Sequence, residues 1–126
     1  NEHVRWLGLR HDIAEIYSES DIGLLVSHQE SFSNAILEGM ASATPMIVTN
    51  VGGNSEAVIH EKCGLVVEPH NPRQLASAML RLSESKILRH EYGDSARLRV
   101  KARFSAINCL SSYIELFNYV NSLAVK

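Results

Sequence analysis

Asp21-Ile22-Gly23-Leu24-Leu25-Val26-Ser27-His28-Gln29-Glu30-Ser31-Phe32-Ser33-Asn34-Ala35-Ile36-Leu37-Glu38 passes from an apolar run through a polar loop into the start of a helix. The run over 21–26 is apolar without alternation, as a strand covered on both faces would be. Residues 27–32 read as a loop, and a helix follows over about 33–42. Pro45-Met46-Ile47-Val48-Thr49 is then the next strand, with Pro at its first position, where it costs no ladder bond. Gly52-Gly53-Asn54 marks a turn, Ser55 is placed to cap a short helix through Ile59, and Gly64-Leu65-Val66-Val67 is a further buried strand. Asn71-Pro72 supplies a cap and a proline at the first helical position for a helix striped by Leu75, Met79, Leu80 and Leu82.

Outward from this centre, Val4-Arg5-Trp6-Leu7-Gly8 reads as a short strand ending at a glycine turn, and Asp12 opens a helical pattern through Ile13, Ile16 and Tyr17. After Ser83 the chain is helical only. One helix over 87–104 is expected to break near Gly93, and another over 106–123 carries Ile107, Leu110, Ile114, Phe117 and Val120 on one stripe. Strands alternating with helices of about ten residues, joined by short loops, predict an α/β fold. The expected form is a three-layer α/β/α Rossmann-like parallel sheet, with strands near Val4, Ile22, Met46 and Leu65. The helical stretch from about 86 to 126 closes it.

The 126 residues, 45% of them hydrophobic, make one domain or part of one. A formal charge of -2 supplies no basic field for nucleic acid or an anionic membrane. Cys63 and Cys109 stand apart, without C-x-x-C or paired Cys/His spacing, which argues against a disulfide framework or a zinc site and fits a reducing cytosol. No run of about 18 apolar residues reads as a membrane span, and Asn1-Glu2-His3-Val4-Arg5 does not read as a signal peptide. The missing initiator Met, with a strand pattern at the start, suggests a piece of a larger protein.

In a parallel α/β sheet, ligands bind outside the carboxyl ends of the strands, here at Gly8, Ser27 and Thr49-Asn50. Glu30 and Glu38 bracket a helix start whose N–H groups over 32–35 can hold phosphate oxygens. Glu38, about one turn beyond those amides, can accept hydrogen bonds from a ribose diol. Each feature also has a plainer reading. Charge pairs on helices are usually solvated, a double glycine is usually a turn, Glu56 suits a first helical turn, and His28 suits a solvated loop. Their order raises the signal: apolar strand, loop with Glu, helix with Glu, Pro-headed strand, double glycine, Glu.

Over 21–27, 30–41 and 45–49, with Val51-Gly52-Gly53, Glu56, Gly64-Leu65-Val66-Val67-Glu68-Pro69 and Arg103-Phe104-Ser105, the chain resembles the C-terminal donor domain of family 4 retaining glycosyltransferases of GT-B fold. The resemblance covers nearly the whole chain and includes the E-x7-E motif at Glu30 and Glu38. It implies a nucleoside-diphosphate sugar as donor, two facing Rossmann-like domains, and transfer with retention. By position, Glu30 is the candidate catalytic residue and lies against hydroxyls of the donor sugar, near the amides of Phe32 and Ser33. Asn34 and Ala35 face the diphosphate through their amides, Glu38 binds the ribose, and Gly8 and Leu9 border the nucleobase. The family needs no metal, and this chain carries no Asp-x-Asp.

Three departures stand out. Ala43 occupies a position where the family has glycine, which puts its left-handed turn in question. Ser31 and Ser33 replace frequent glycines, and Ser33 is placed to cap the helix. The strand and loop carrying a basic pair for the diphosphate are expected upstream, with an acceptor-binding N-terminal domain, so the chain is expected to be inactive alone. The implied acceptor is a saccharide, a lipid-linked sugar or a small molecule, and cell-surface polysaccharide synthesis is a compatible setting. The expected location is cytoplasmic, peripheral to the inner face of the membrane.

The last helix has little to cover in so short a domain. It is expected to reach toward the N-terminal domain, or to drive self-association of the fragment. Two rival functions are a catalytically inactive nucleotide-sugar-binding or regulatory module, and a phosphorylase or epimerase of the same fold. A Rossmann dehydrogenase is disfavoured, because no G-x-G-x-x-G follows a strand.

Overall fold

The computed structural model describes residues 3–124. In chain order the elements are α1 (Ile13–Ser18), β1 (Gly23–Leu25), α2 (Asn34–Ala41), β2 (Met46–Thr49), α3 (Asn54–Ala57), β3 (Gly64–Val67), α4 (Pro72–Glu84), α5 (Lys86–Arg103) and α6 (Ala106–Ala124). The three strands form one parallel sheet in the order β1-β2-β3, with Gly23 opposite Met46 and Met46 opposite Gly64. The α/β class and its parallel sheet agree with the sequence reading.

Strand β2 organises the core because it has neighbours on both edges and helices on both faces. Met46, Ile47 and Val48 are each fully buried. Side chains alternate along a strand, so Met46 and Val48 join Ile36 and Met40 of α2, Ala57 and Ala96 on one face. Ile47 joins Leu65, Val67, Leu82 and Tyr92 on the other. Fully burying residues of this size stabilises by about 1.5 to 3 kcal/mol each, so the layers are held chiefly through this strand. Asn71 caps α4 as its sequence predicts, accepting from the N–H of Gln74 at 3.0 Å.

Several boundaries differ from the sequence reading. The strand expected near Val4 does not form: Val4 and Leu7 are exposed and Trp6 is 91% exposed. An isolated strand leaves its N–H and C=O groups without partners, and among the described residues nothing pairs with this segment. Helix α3 begins at Asn54 with Gly53 at its N-cap, so Ser55 is not the cap, and it ends at Ala57. Ser33 occupies the N-cap of α2 without its hydroxyl accepting a bond.

The expected break near Gly93 is also absent, since α5 runs unbroken from Lys86 to Arg103. A Cβ on Gly93 would stand 2.0 Å from the carbonyl oxygen of Ala43. Close packing, not helix termination, accounts for this glycine. Ala43 itself adopts the left-handed turn at φ 59°, so the turn is kept without the glycine. From the contact with Ala43, α5 climbs along the face of α2 and ends at Phe104, whose ring packs on Phe32. Helix α6 extends beyond, with Leu110, Ile114, Phe117 and Val120 all exposed. No helix among the described residues is long and apolar enough to cross a membrane.

Two substitutions test this junction. Ala43→Gly relieves a left-handed alanine and is expected to stabilise the fold by about 1 kcal/mol. Gly93→Ala forces two backbones apart and is expected to destabilise it by about 1 to 3 kcal/mol. Urea unfolding midpoints read both.

Alkaline pH tests the packing of two tyrosines. Burial, with the Glu38 carboxylate second, raises the pKa of Tyr17 above the ordinary phenol value. Burial also raises that of Tyr92, against the opposing pull of Arg81. Both groups fold best neutral, so their contribution is intact below about pH 10 and is lost as pH rises through the higher folded values. Stability is expected to fall above that point in pH-dependent urea titrations. The fall should be shallower in the Tyr17→Phe, Tyr92→Phe double variant.

Candidate functional site

The loop between β1 and α2 stands at the carboxyl edge of the sheet and is tied down by backbone bonds. The Thr49 hydroxyl, at the end of β2, donates to the carbonyl of Ser27 at 2.7 Å. Gly53 donates its N–H to the carbonyl of Ser31 at 2.7 Å. Between these anchors the loop passes directly over the double glycine. A Cβ on Gly52 would lie 1.7 Å from the carbonyl oxygen of Glu30, and one on Gly53 would lie 2.6 Å from the Phe32 ring. Gly52 also has φ 51°, so it is required both for its conformation and for its lack of a side chain. Asn54 is fully buried and donates from its amide to the Thr49 carbonyl at 3.1 Å, fixing the turn from below. Its Oδ1 has no partner among the described residues.

This clamp places Glu30 partly buried at the sheet edge, with the Ser27 hydroxyl 3.5 Å from Oε2. Beyond it, Phe32 and Ser33 lead into α2. Because the Ser33 hydroxyl caps nothing, the first-turn amides of Asn34 and Ala35 have no partner among the described residues. Free amides and the helix dipole together favour an anion there, by about 0.3 to 1 kcal/mol for a surface charge. Glu38 is exposed four residues after Asn34 on the same helix face, about 6 Å further along the axis. Its charge reaches Tyr17 of α1 and helps hold that phenol neutral. One loop and one helix start therefore present a carboxylate, two unpaired amides and a second carboxylate in sequence.

Gly8 and Leu9 are not gathered with them. Gly8 has φ 66° and open space around it, and Leu9 is 89% exposed beside a shallow cleft with Arg10, His11 and Asp12. The Arg10 guanidinium is instead paired with Asp12.

Two flanking arrangements do not follow from the sequence reading, although some of their residues are named in it. His28 stacks on His70, ring centroids 4.7 Å apart, and both line a cleft of about 170 Å³ with Ser27, Thr49 and Glu68. His70 is brought there by the turn after β3, at φ 59°. On the opposite side a groove of about 430 Å³ runs between Phe32, Leu37, Phe104, Tyr113 and Leu116. The only signal for the first in the sequence is Glu68-Pro69-His70 at the end of a strand, and for the second Arg103-Phe104-Ser105. Among the described residues no three of His, Cys, Asp and Glu gather where they could hold a metal ion.

Comparison with known proteins identifies the family of the chain. The family model for glycosyl transferases group 1 matches residues 1–85. The chain is 32% identical over 116 residues to the N-acetyl-alpha-D-glucosaminyl L-malate synthase of Bacillus anthracis, covering 92% of this chain and 30% of that protein. A glycosyltransferase structure from Rickettsia africae superposes with a TM-score of 0.82 at 30% identity, over 88% of this chain and 30% of that one. Anabaena HepE in complex with UDP-glucose superposes with a TM-score of 0.86 over 92% of this chain and 32% of that one. At 24% identity that last likeness speaks for the fold alone. The chain thus spans about a third of the length of each of these proteins.

The double glycine offers a direct test of the clamp. Gly52→Ala has to move the Glu30 carbonyl and strain a left-handed position, and is expected to destabilise the fold by about 1 to 3 kcal/mol. It should also speed amide hydrogen exchange over residues 28–33 beyond that over α4. Exchange mass spectrometry separates the local effect from the global one.

Proposed function

The chain belongs to the glycosyl transferases of group 1, and from that premise we propose that it supplies the donor-binding site of a retaining glycosyltransferase. The supporting observation is the uncapped start of α2, flanked by Glu30 and Glu38 on a loop clamped to Gly52 and Gly53. A nucleoside-diphosphate sugar presents matching groups in the same order: sugar hydroxyls, diphosphate oxygens and a ribose diol. Glu30 binds the sugar hydroxyls with the amides of Phe32 and Ser33 nearby, Asn34 and Ala35 hold the diphosphate, and Glu38 accepts from the ribose. Gly8 and Leu9 border the base, in an arrangement completed by the rest of the polypeptide. UDP-glucose, named in the Anabaena complex, is a reasonable first donor to test.

In the reaction, the bond between the anomeric carbon and the diphosphate oxygen breaks, and its electron pair stays on the phosphate. An acceptor hydroxyl oxygen forms the new glycosidic bond on the same face of the sugar and gives up its proton to the departing diphosphate. The part played by these residues is to fix the sugar and to stabilise negative charge as it grows on the leaving diphosphate. Amide dipoles already aimed at that charge need no reorganisation during the step. No metal has a role in this account. Basic residues elsewhere in the polypeptide complete the neutralisation, and an N-terminal domain brings the acceptor, which is a saccharide, a lipid-linked sugar or a small molecule. The exposed stripe of α6 reaches toward that domain, and the enzyme works in the cytoplasm, peripheral to the membrane.

In the protein that carries this chain, Glu38→Ala is expected to weaken donor binding at least about tenfold, the loss for a hydrogen bond to a charged group. Calorimetric titration reads it, and unchanged affinity would remove Glu38 from the ribose. Glu30→Gln is expected to lower kcat/KM by about tenfold or more. Turnover equal to the wild type would take Glu30 out of the site. Donor binding without any transfer to acceptors would instead support an inactive binding module.

A further inference from the structure

Arg99 stands outside the loops described above, partly buried on α5. Its Nε donates to the carbonyl of Ala57 at 2.9 Å, and its Nη2 donates to the carbonyl of Glu56 at 2.7 Å. These are the last two carbonyls of α3, a helix of 4 residues. Helix ends leave such carbonyls unpaired, and the planar fork of arginine reaches two at once. The same guanidinium lies 5.6 Å from the centroid of the Phe104 ring. Phe104 in turn packs on Phe32, centroid to centroid 5.5 Å. A closed circuit results: Arg99 holds α3, the α3 N-cap Gly53 holds the Ser31 carbonyl, Phe32 follows Ser31, and Phe104 links Phe32 back to Arg99.

We propose that Arg99, acting with Phe104, is a positioning residue for the Glu30 loop. It ties both sides of the Gly53–Ser31 clamp to one rigid helix, across 42 and 43 residues of chain to the two carbonyls. Apart from the Thr49 hydroxyl on the Ser27 carbonyl, the loop is held weakly by its own side chains; the Ser27 contact to Glu30 is 3.5 Å long. Placing the anchor on α5 lets the core beneath β2, which contains Ala96 of the same helix, set where the sugar-facing carboxylate stands relative to the α2 amides.

A second arginine provides the comparison. Arg89, also on α5, donates from Nη1 to the carbonyls of Leu82 at 2.7 Å and Ser83 at 3.0 Å, at the end of α4. It performs the same capping chemistry without touching the Glu30 loop or α3, and its Nη2 also pairs with Asp21, ahead of β1, at 3.2 Å. A purely structural effect of losing an arginine fork should therefore look alike in both variants, whereas a positioning effect should belong to Arg99.

The inference rests on the donor-site reading for its consequence, and two measurements on the protein that carries this chain keep the two apart. Hydrogen exchange mass spectrometry needs no ligand. Arg99→Ala should speed exchange over residues 28–33 and 52–58, Arg99→Lys should do so to a smaller extent, and Arg89→Ala should act near residues 79–85 and around Asp21 but not over 28–33. Wild-type exchange over 28–33 in folded Arg99→Ala or Arg99→Lys protein overturns the proposal.

Calorimetry then compares UDP-glucose with UDP, and GDP-mannose with GDP. Arg99→Ala should weaken the sugar nucleotide about tenfold, as for a charged hydrogen bond lost, while the sugar-free nucleotide changes less than about twofold. Arg89→Ala should leave that ratio alone. Equal weakening of both ligands by Arg99→Ala, or of neither, overturns the positioning role. A wild-type protein that binds none of the four contradicts the donor-site reading itself, and exchange still decides whether Arg99 holds the loop.

Discussion

Gly53 donates its N–H to the carbonyl of Ser31 at 2.7 Å, and where the Glu30 carboxylate stands relative to the start of α2 depends on that one backbone bond. It joins the turn after β2 to the loop after β1, two segments that leave neighbouring strands at the same edge of the sheet. The strands can splay at that edge, because their ladder ends at Leu25 opposite Val48. Beyond the ladder, the Thr49 hydroxyl on the Ser27 carbonyl and the Gly53 bond continue the pairing through the loop. A side chain at Gly52 would occupy the space of the Glu30 carbonyl. The double glycine is thus a condition for the clamp, and the clamp is a condition for Glu30 to sit beside the first turn of α2.

The layers below convert this local bond into a rigid platform. Strand β2 is buried on both faces and leads into the glycine turn. Helix α2 packs over Met46 and Val48 through Ile36 and Met40, which fixes its axis and the direction of its first amides. Helix α5 packs on α2, starting from the contact of Gly93 with Ala43, and ends where Phe104 meets Phe32. A site built this way is held by elements and not by loops alone, which keeps its geometry fixed.

Much of this was legible in the sequence, for physical reasons. The runs at 21–26, 45–49 and 64–67 are apolar without alternation, and the structure places strands in all three. Asn71-Pro72 announced its cap because the chemistry is local to four residues. The segment at Val4 was misread because five residues of β-prone sequence cannot make a strand without a neighbour, and pairing is not a local property. Gly93 was misread for a related reason: a glycine inside a helix can mark an end or a close approach, and only the position of Ala43 decides.

Around the candidate site, Glu30, Ser33, Asn34, Ala35 and Glu38 are adjacent in the chain, so their neighbourhood followed from one strand–loop–helix unit. The stack of His28 on His70 and the reach of Arg99 to α3 span about 40 residues; Glu68-Pro69-His70 at a strand end hints at the first, and no local pattern marks the second. The measurement that bears most directly on this account is a crystal structure of the protein that carries this chain, with an intact nucleotide sugar bound. The account predicts diphosphate oxygens on the amides of Asn34 and Ala35, ribose hydroxyls on Glu38 and sugar hydroxyls on Glu30. A donor bound away from the start of α2, with both glutamates facing solvent, would contradict it.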